Sequence, residues 1–410
     1  MIQFPANFLW GAATSSYQVE GFNSHSDWWA WEQSLGKRFA SGAACRHYEL
    51  FNEDFDLAKS LHHNAHRFSV EWSRIEPREG EILTHEIEHY RQVVLALKAR
   101  GITPIVTLHH FTNPQWFMKL GGWEKEGNLR YFLRFVERIV SALAQDTQIW
   151  MTVNEPLVYL YYSYLRGEWP PQVKSIRAAR LVRDNFIRGH IAAYQIIQAL
   201  YRQRNLPAPS VSIAHHMRYF FPCAPTLKNK LGVWLRDKEV NFTFIEHLLR
   251  AHTLDFIGVN YYTRELVDVS GWGIRQLYSE SCNKNHHPVK KNDLGWDIYP
   301  EGLYELLRQL KRYNLPILIT ENGICTHDDN LRWEYIREHI KAAHRALQEG
   351  VRVQGYLYWS LLDNFEWDKG FSPRFGLIEV DYATCARKIR ESAKRFAEVC
   401  LRGIVEDGTN

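Results

Sequence analysis

The sequence predicts an α/β chain folded as one (β/α)8 barrel over residues 1–410, and three observations predict it. Short apolar runs alternate with longer stretches of helical period, which is the pattern of a parallel sheet with crossover helices. Eight such runs can be counted, the number that closes a barrel. Two of them end in glutamate, and the C-terminal ends of barrel strands are where such a fold places its chemistry. The composition agrees with a single body. The 410 residues are 45% hydrophobic and 23% charged, with no low-complexity tract and no Pro/Gly/Ser linker to mark a boundary.

In chain order the strands are expected at residues 8–14, 65–70, 102–109, 148–154, 211–215, 254–260, 315–320 and 353–360. Between the second and third, Ile87, Tyr90, Val93, Val94 and Leu97 recur at helix spacing, and Gly101 is placed to end that helix. After the third, Asn128 stands as N-cap before a stripe of Phe132, Phe135, Val136, Ile139, Val140 and Leu143. Pro300 opens a helix carrying Leu303, Leu306, Leu307 and Leu310. Ile336, His339, Ile340, Ala343 and Leu347 mark the next one, which stops before Gly350. The long connections at 15–52, 155–185 and 261–299 hold most of the Gly, Pro, Asn and Trp of their regions and are expected to build the rim.

The seventh strand is the most informative. Leu315-Pro316-Ile317-Leu318-Ile319-Thr320-Glu321-Asn322-Gly323 is an apolar run that stops at a carboxylate and an Asn-Gly pair. Ile149-Trp150-Met151-Thr152-Val153-Asn154-Glu155-Pro156 does the same, and its proline cannot continue a central strand. A lone glutamate at a strand end is ordinarily a solvated residue or half of an ion pair. Two at the same end of one barrel fit a reaction that needs a carboxylic acid and a carboxylate, such as glycoside hydrolysis.

Net charge is +4 with both signs mixed along the chain, so no nucleic-acid surface is expected. Residues Met1-Ile2-Gln3-Phe4-Pro5-Ala6-Asn7 lack the basic and apolar regions of a signal peptide, and no apolar run reaches the roughly 18 residues of a membrane helix. The expectation is a soluble, cytoplasmic protein with no membrane partner. Cys45, Cys223, Cys282, Cys325, Cys385 and Cys400 are scattered without a C-x-x-C pair and are expected as free thiols. Among 19 histidines, the adjacent pairs His62-His63, His109-His110, His215-His216 and His286-His287 point to opposite faces of a strand, so no metal and no cofactor is expected. Aromatic residues make up 14% of the chain, including 15 Trp, a surplus that a sugar site uses by packing indole against the apolar face of a pyranose.

Four segments in this order resemble glycoside hydrolase family 1, the β-glucosidase and β-galactosidase family. Phe8-Leu9-Trp10-Gly11-Ala12-Ala13-Thr14-Ser15-Ser16-Tyr17-Gln18-Val19-Glu20-Gly21 is similar to its N-terminal signature, Thr152-Val153-Asn154-Glu155-Pro156 to its acid/base motif, and Ile319-Thr320-Glu321-Asn322-Gly323 to its nucleophile motif. Trp359-Ser360-Leu361-Leu362-Asp363-Asn364-Phe365-Glu366-Trp367 resembles its sugar-recognition segment. The resemblance implies that Glu155 is the acid/base and Glu321 the nucleophile of a retaining exo-β-glycosidase. It implies Asn154 at the sugar 2-hydroxyl, His110 against the sugar, and Gln18 and Glu366 on the 3-, 4- and 6-hydroxyls. Trp359 becomes the platform beneath the ring, with Trp367 beside the hydroxyls. Tyr262 and Arg67 are implied next to the nucleophile, with Asn260 in the same network. Arg67 is expected to keep Glu321 ionised, and Glu155, with no cation of its own, to hold a raised pKa.

The chain departs from the family pattern at His109, where an aromatic residue is common, and at Phe111, where Trp is frequent. It is also shorter than is usual. Ser26-Asp27-Trp28-Trp29-Ala30-Trp31-Glu32 resembles a segment of the branch known from thermophilic prokaryotes. Three other functions compete. A 6-phospho-β-glycosidase is disfavoured by the charge of Glu366, which would repel phosphate. A non-catalytic sugar-binding relative would lack one of the two carboxylates. A transglycosylase uses the same residues and differs only in the acceptor. In each case the partner is a small-molecule β-glycoside or oligosaccharide.

Overall fold

The protein is described by a computed structural model covering residues 2–36, 40–269, 282 and 288–405. Eight parallel strands close into a barrel in sequence order. They are β1 (Leu9–Ala13), β2 (Ala65–Ser69), β3 (Thr103–Thr107), β4 (Ile149–Asn154), β5 (Ser210–Pro222), β6 (Ile257–Val267), β7 (Ile317–Asn322) and β8 (Val353–Trp359). A long helix follows each: α1 (His47–Ser60), α2 (Thr84–Ala99), α3 (Leu129–Leu143), α4 (Ile176–Gln203), α5 (Thr243–Arg250), α6 (Pro300–Leu310), α7 (Asp329–Gln348) and α8 (Glu391–Arg402). Every expected strand is present. No described helix is long and apolar enough to cross a membrane.

The helices bury the stripes that the sequence marks. On α3 the residues Phe132, Phe135, Val136, Ile139 and Val140 are fully buried, and α2 and α6 bury Val94, Leu97, Leu303, Leu306, Leu307 and Leu310 in the same large cluster. Inside the barrel a separate layer of Ala65, Ile105, Met151, Phe256, Leu318 and Leu357 plugs the floor, so the cavity opens only at the strands' C-terminal ends. Gly101 and Gly350 leave their helices at φ 70 and φ 82, as C-terminal glycines do. Asn128 occupies the N-cap position of α3 but does not cap it. Its backbone is already helical, at φ −79 and ψ −12, rather than extended as a cap requires, and its side-chain amide donates to the carbonyl of Gly122 at 3.0 Å. Gly323 serves a close approach rather than a left-handed turn: a Cβ there would overlap the carbonyl of Trp359 on β8.

Two expectations need correction. The fifth and sixth strands do not stop at residues 215 and 260. β5 and β6 pair from Ala214 opposite Gly258 out to Pro222 opposite Val267, because each supplies the other's backbone partners beyond the barrel mouth. At the tip of this arm Cys223 and Cys282 form a disulfide, with Cα atoms 6.0 Å apart, where free thiols were expected. The backbone N–H of Cys223 donates to Val267 and that of Cys282 to Leu266, each at 2.9 Å, so the end of β6 brings together two cysteines 59 residues apart. Cys45, Cys325, Cys385 and Cys400 are free and buried. Part of the 261–299 connection, including His286-His287, lies outside the described residues.

Candidate active site

The barrel's C-terminal mouth opens into a pocket lined by Gln18, His110, Asn154, Glu155, Tyr262, Glu321, Trp359, Glu366 and Trp367. Arg67 and Asn260 lie beneath it, both fully buried. All eleven residues that the sequence singles out are therefore assembled at one place. Seven of them come from the strands or directly after one: Arg67 from β2, Asn154 and Glu155 from β4, Asn260 and Tyr262 from β6, Glu321 from β7 and Trp359 from β8, while Gln18, His110, Glu366 and Trp367 come from the segments that follow β1, β3 and β8. Glu155 follows β4 directly and takes φ 43, ψ 57, a left-handed conformation that costs a non-glycine residue free energy and turns the carboxyl inward.

A lattice of hydrogen bonds joins the two carboxylates. The Arg67 guanidinium pairs with Glu321 Oε1, donates from Nη2 to Asn154 Oδ1 at 2.6 Å, and is anchored by Nε on Thr107 at 2.9 Å. Tyr262 donates its phenol to Glu321 Oε2 at 2.6 Å. The Asn260 amide donates to Asn154 Oδ1 at 3.1 Å and to Glu155 Oε1 at 2.8 Å, while its own oxygen accepts from Thr320 at 2.6 Å. Breaking any link strands a buried polar group, so the geometry is stiff. Asn154 Nδ2 faces His110 Nε2 at 3.1 Å, and Nδ1 of His110 is buried without a partner among the described residues. Burial and the nearby Arg67 hold that imidazole well below the usual histidine range, so it is neutral. His109 points the other way, to Asn113 and the Trp123 ring, as alternation on a strand requires.

The far wall holds the polar and aromatic groups. Gln18 Nε2 donates to Glu366 Oε2 at 3.1 Å, to Phe365 O at 2.9 Å and to Asn364 at 3.0 Å, and its oxygen accepts from Ser15 at 2.8 Å. Trp359 and Trp367 each lie nearly parallel to the His110 ring, with centroids 5.9 and 6.0 Å away. Lys369 and Arg218 also line the pocket, and both are paired, the first with Asp368 and the second with Glu265 at 2.9 Å.

The electrostatics reverse two expectations. Burial, joined by the charge of Glu155, pushes the Glu321 carboxyl up to about 7 against Arg67 and Tyr262. For Glu155 burial again pushes up, but His216, Asn260 and Arg67 together hold it below its ordinary value. Glu155 thus does have a basic neighbour: Nδ1 of His216 is 3.3 Å from its Oε1. The two carboxyls face one cavity and titrate as a pair sharing one proton. Glu366 also departs from its assumed charge, since burial, Glu321 and Asp368 push it up to about 8. This direction favours the neutral acid, against the charge that the repulsion of phosphate assumed. His216 and Arg218 escaped the sequence reading because β5 was expected to stop at residue 215. Their i, i+2 spacing was the available signal.

These raised carboxyls make stability depend on pH. Glu20 and Asp27, like Glu321, are raised to about 7 and Glu366 to about 8, in each case chiefly by burial. The unfolded chain ionises the same groups near the ordinary carboxylate value of about 4. Between those limits the folded state binds more protons, so this stability is complete below about pH 4 and is lost as pH rises through 7 to 8. The Tm is expected to fall between about pH 5 and pH 8.5. Glu366→Gln should raise it by about 2 °C or more at the higher pH and by less at the lower one. An equal shift at both, measured by calorimetry, would contradict the burial argument.

Comparison with known proteins agrees with this geometry. The profile of glycosyl hydrolase family 1 matches residues 1–249 and 235–403. β-Glucosidase A of Acetivibrio thermocellus is 32% identical over 97% of this chain and 98% of its own, and a β-galactosidase of Pyrococcus woesei is 30% identical over 97% and 96%. Among solved structures, a β-glycosidase from Pyrococcus horikoshii superposes with TM-score 0.90 at 38% identity, covering 99% of this chain and 96% of that one. The β-glucosidase of Thermotoga maritima in complex with glucoimidazole gives TM-score 0.90 at 29% identity over 98% and 100%. With a closed eight-stranded barrel and matches across nearly its whole length, the chain belongs to glycosyl hydrolase family 1 and is a glycoside hydrolase of the β-glycosidase kind.

Proposed function

We propose that the protein, as one catalytic domain, is a retaining exo-β-glycosidase that removes terminal β-D-glucosyl residues, and β-galactosyl and β-fucosyl residues, through a covalent glycosyl-enzyme. The observation that carries this is the Arg67–Asn154–Asn260 lattice, which braces Glu321 and Glu155 on one pocket whose floor is closed. Glu321 attacks the anomeric carbon with one oxygen held by Arg67 and the other by Tyr262. Glu155 protonates the leaving oxygen, then takes a proton from the water that releases the sugar. Asn154 holds the 2-hydroxyl, where a contact strengthens as the oxocarbenium-like transition state forms.

Gln18, Glu366 and the buried Nδ1–H of His110 offer hydrogen bonds to the remaining hydroxyls, and Trp359 and Trp367 offer apolar faces. A neutral Glu366 can donate to one hydroxyl and accept from its neighbour, with an equatorial or an axial 4-hydroxyl in reach. Phosphate at the 6-position gains nothing here, since the two cations lining the pocket among the described residues are already paired. The complex of the Thermotoga maritima relative with glucoimidazole fits a glucose-sized glycone site.

Proton NMR of the first-formed product is the test: the β anomer is expected, and early α product would overturn the retaining assignment. A panel of nitrophenyl β-glycosides should rank glucoside, galactoside and fucoside above 6-phosphoglucoside. Preference for the phosphorylated sugar would move the activity to the phospho-glycosidase class.

A further inference from the structure

The arm that β5 and β6 extend past the barrel mouth brings His216 to Glu155 and Arg218 to His216. His216 and Arg218 lie two apart on β5 and both line the pocket. Arg218 Nε donates to His216 Nε2 at 3.1 Å. An arginine N–H has no lone pair to accept with, so Nε2 is the acceptor and the ring's single proton is on Nδ1. That nitrogen is buried, makes no hydrogen bond in place among the described residues, and has Glu155 Oε1 as its neighbouring acceptor at 3.3 Å, within reach of a small turn of the ring. Arg218 is itself held: Nη1 donates to Glu265 at 2.9 Å, and its backbone N–H donates to Asn241 at 3.0 Å. The other oxygen of Glu265 accepts from Arg236 at 2.5 Å.

On the Glu155 side, the Asn260 amide reaches the same Oε1 at 2.8 Å. Among the described residues no donor reaches Oε2. A carboxylic acid has one carbonyl oxygen and one hydroxyl, and the oxygen that accepts from Asn260, with the unpartnered His216 Nδ1 beside it, is the carbonyl.

We propose that His216 is a positioning residue for Glu155: held in its Nδ1–H form by Arg218, it joins Asn260 in occupying Oε1, so that the proton Glu155 gives and takes is carried on Oε2. This rests on the acid/base reading of Glu155. When Glu155 ionises, the charge forms beside two N–H donors already in place. Because the imidazole is neutral, it supports that charge without clamping Glu155 in its ionised form, as an imidazolium would.

The groups facing the imidazole leave it no other proton source. Glu155 and Arg218 meet its two nitrogens, and the Tyr262 ring lies parallel at 6.1 Å with Glu321 beyond it. Glu265, Arg236 and the Tyr162 phenol surround Arg218. His215 faces away, to the carbonyl of Val240 at 2.9 Å.

The test is nitrogen NMR of histidine-labelled protein, with the His216 signals assigned by difference from His216→Phe. In the wild type at neutral pH, the ring proton of His216 is expected on Nδ1, with Nε2 bare. Arg218→Met removes the donor, and an Nε2–H form should then appear. An Nε2–H form in the wild type, or no change in Arg218→Met, overturns the proposal.

Kinetics give an independent readout. His216→Phe keeps a ring but loses the N–H, so the basic limb of kcat/KM on an alkyl glucoside should rise by about one pH unit. His216→Asn should move it back. A folded His216→Phe protein with an unmoved limb also overturns the proposal. Labelling of Glu321 by a 2-fluoroglucoside separates this from failure of the catalytic reading: without a label the reading itself fails, whereas the NMR result concerns His216 alone.

Discussion

Glu321→Ala is expected to lower turnover by about 10⁴-fold or more on every glycoside, because no other group stands where the covalent bond to the sugar must form. The pocket offers a second carboxyl in Glu155, but Asn260 and His216 hold that group on the opposite side of the lattice. The substitution also leaves the Arg67 guanidinium without its anion and the Tyr262 phenol without its acceptor. Stranding a buried charge costs about 3–5 kcal/mol of stability, so the variant must be shown to be folded before its rate is read. Azide is the informative additive. A small anion entering the vacated space meets the Arg67 charge and attacks from the face that Glu321 used, giving α-glycosyl azide by a single inversion. Wild-type rates in Glu321→Ala, or azide product of β configuration, would remove Glu321 from the nucleophile role.

Glu155→Ala is expected to separate the two half-reactions. A leaving group that departs without protonation, such as dinitrophenolate, should still be displaced at a rate near the wild type's, whereas an alkyl glucoside should slow by about 10²–10⁴-fold. Release of the sugar should slow with both, since water loses its base, and azide should rescue that step with β-glycosyl azide. The pH profile sharpens the test. In the wild type the singly protonated pair is the active form, so the acidic limb of kcat/KM reports addition of a second proton. The basic limb, near 7, reports loss of the first. Neither limb belongs to one residue alone. On dinitrophenyl glucoside Glu155→Ala should lose the basic limb, because no proton is then needed and ionised Glu321 suffices. A variant that keeps the limb, or that cleaves alkyl glucosides at the wild-type rate, would show that the acid lies elsewhere.

Both experiments concern residues that could be picked out from the chain alone, and their legibility has a physical basis. Ile149–Asn154 and Ile317–Asn322 are short apolar runs that can only be buried strands, and a carboxylate at the end of such a run is conspicuous against its desolvation cost. Arg67 stood out in the same way, as a cation inside a buried strand that had to find an anion. Helix stripes such as Phe132, Phe135, Val136 and Ile139 encode which face is buried through a local period, so the eight strands and four of the helices followed from patterns no longer than about a dozen residues.

By itself, then, the sequence determined the strand order, four of the helices, the barrel and the two strand-end glutamates, because each of these is written in a local pattern of burial and charge, whereas most of their polar neighbours came from the resemblance to glycoside hydrolase family 1. Only the tertiary structure decided how far β5 and β6 run, that Cys223 meets Cys282, and that His216 lies against Glu155 with Arg218 behind it. It alone also decided where the protons sit on Glu155, Glu321 and Glu366. Strand pairing, disulfide closure and the field on a carboxyl all depend on groups far apart in the chain, and a pKa in particular is fixed by which charges, donors and apolar walls converge on one point in space.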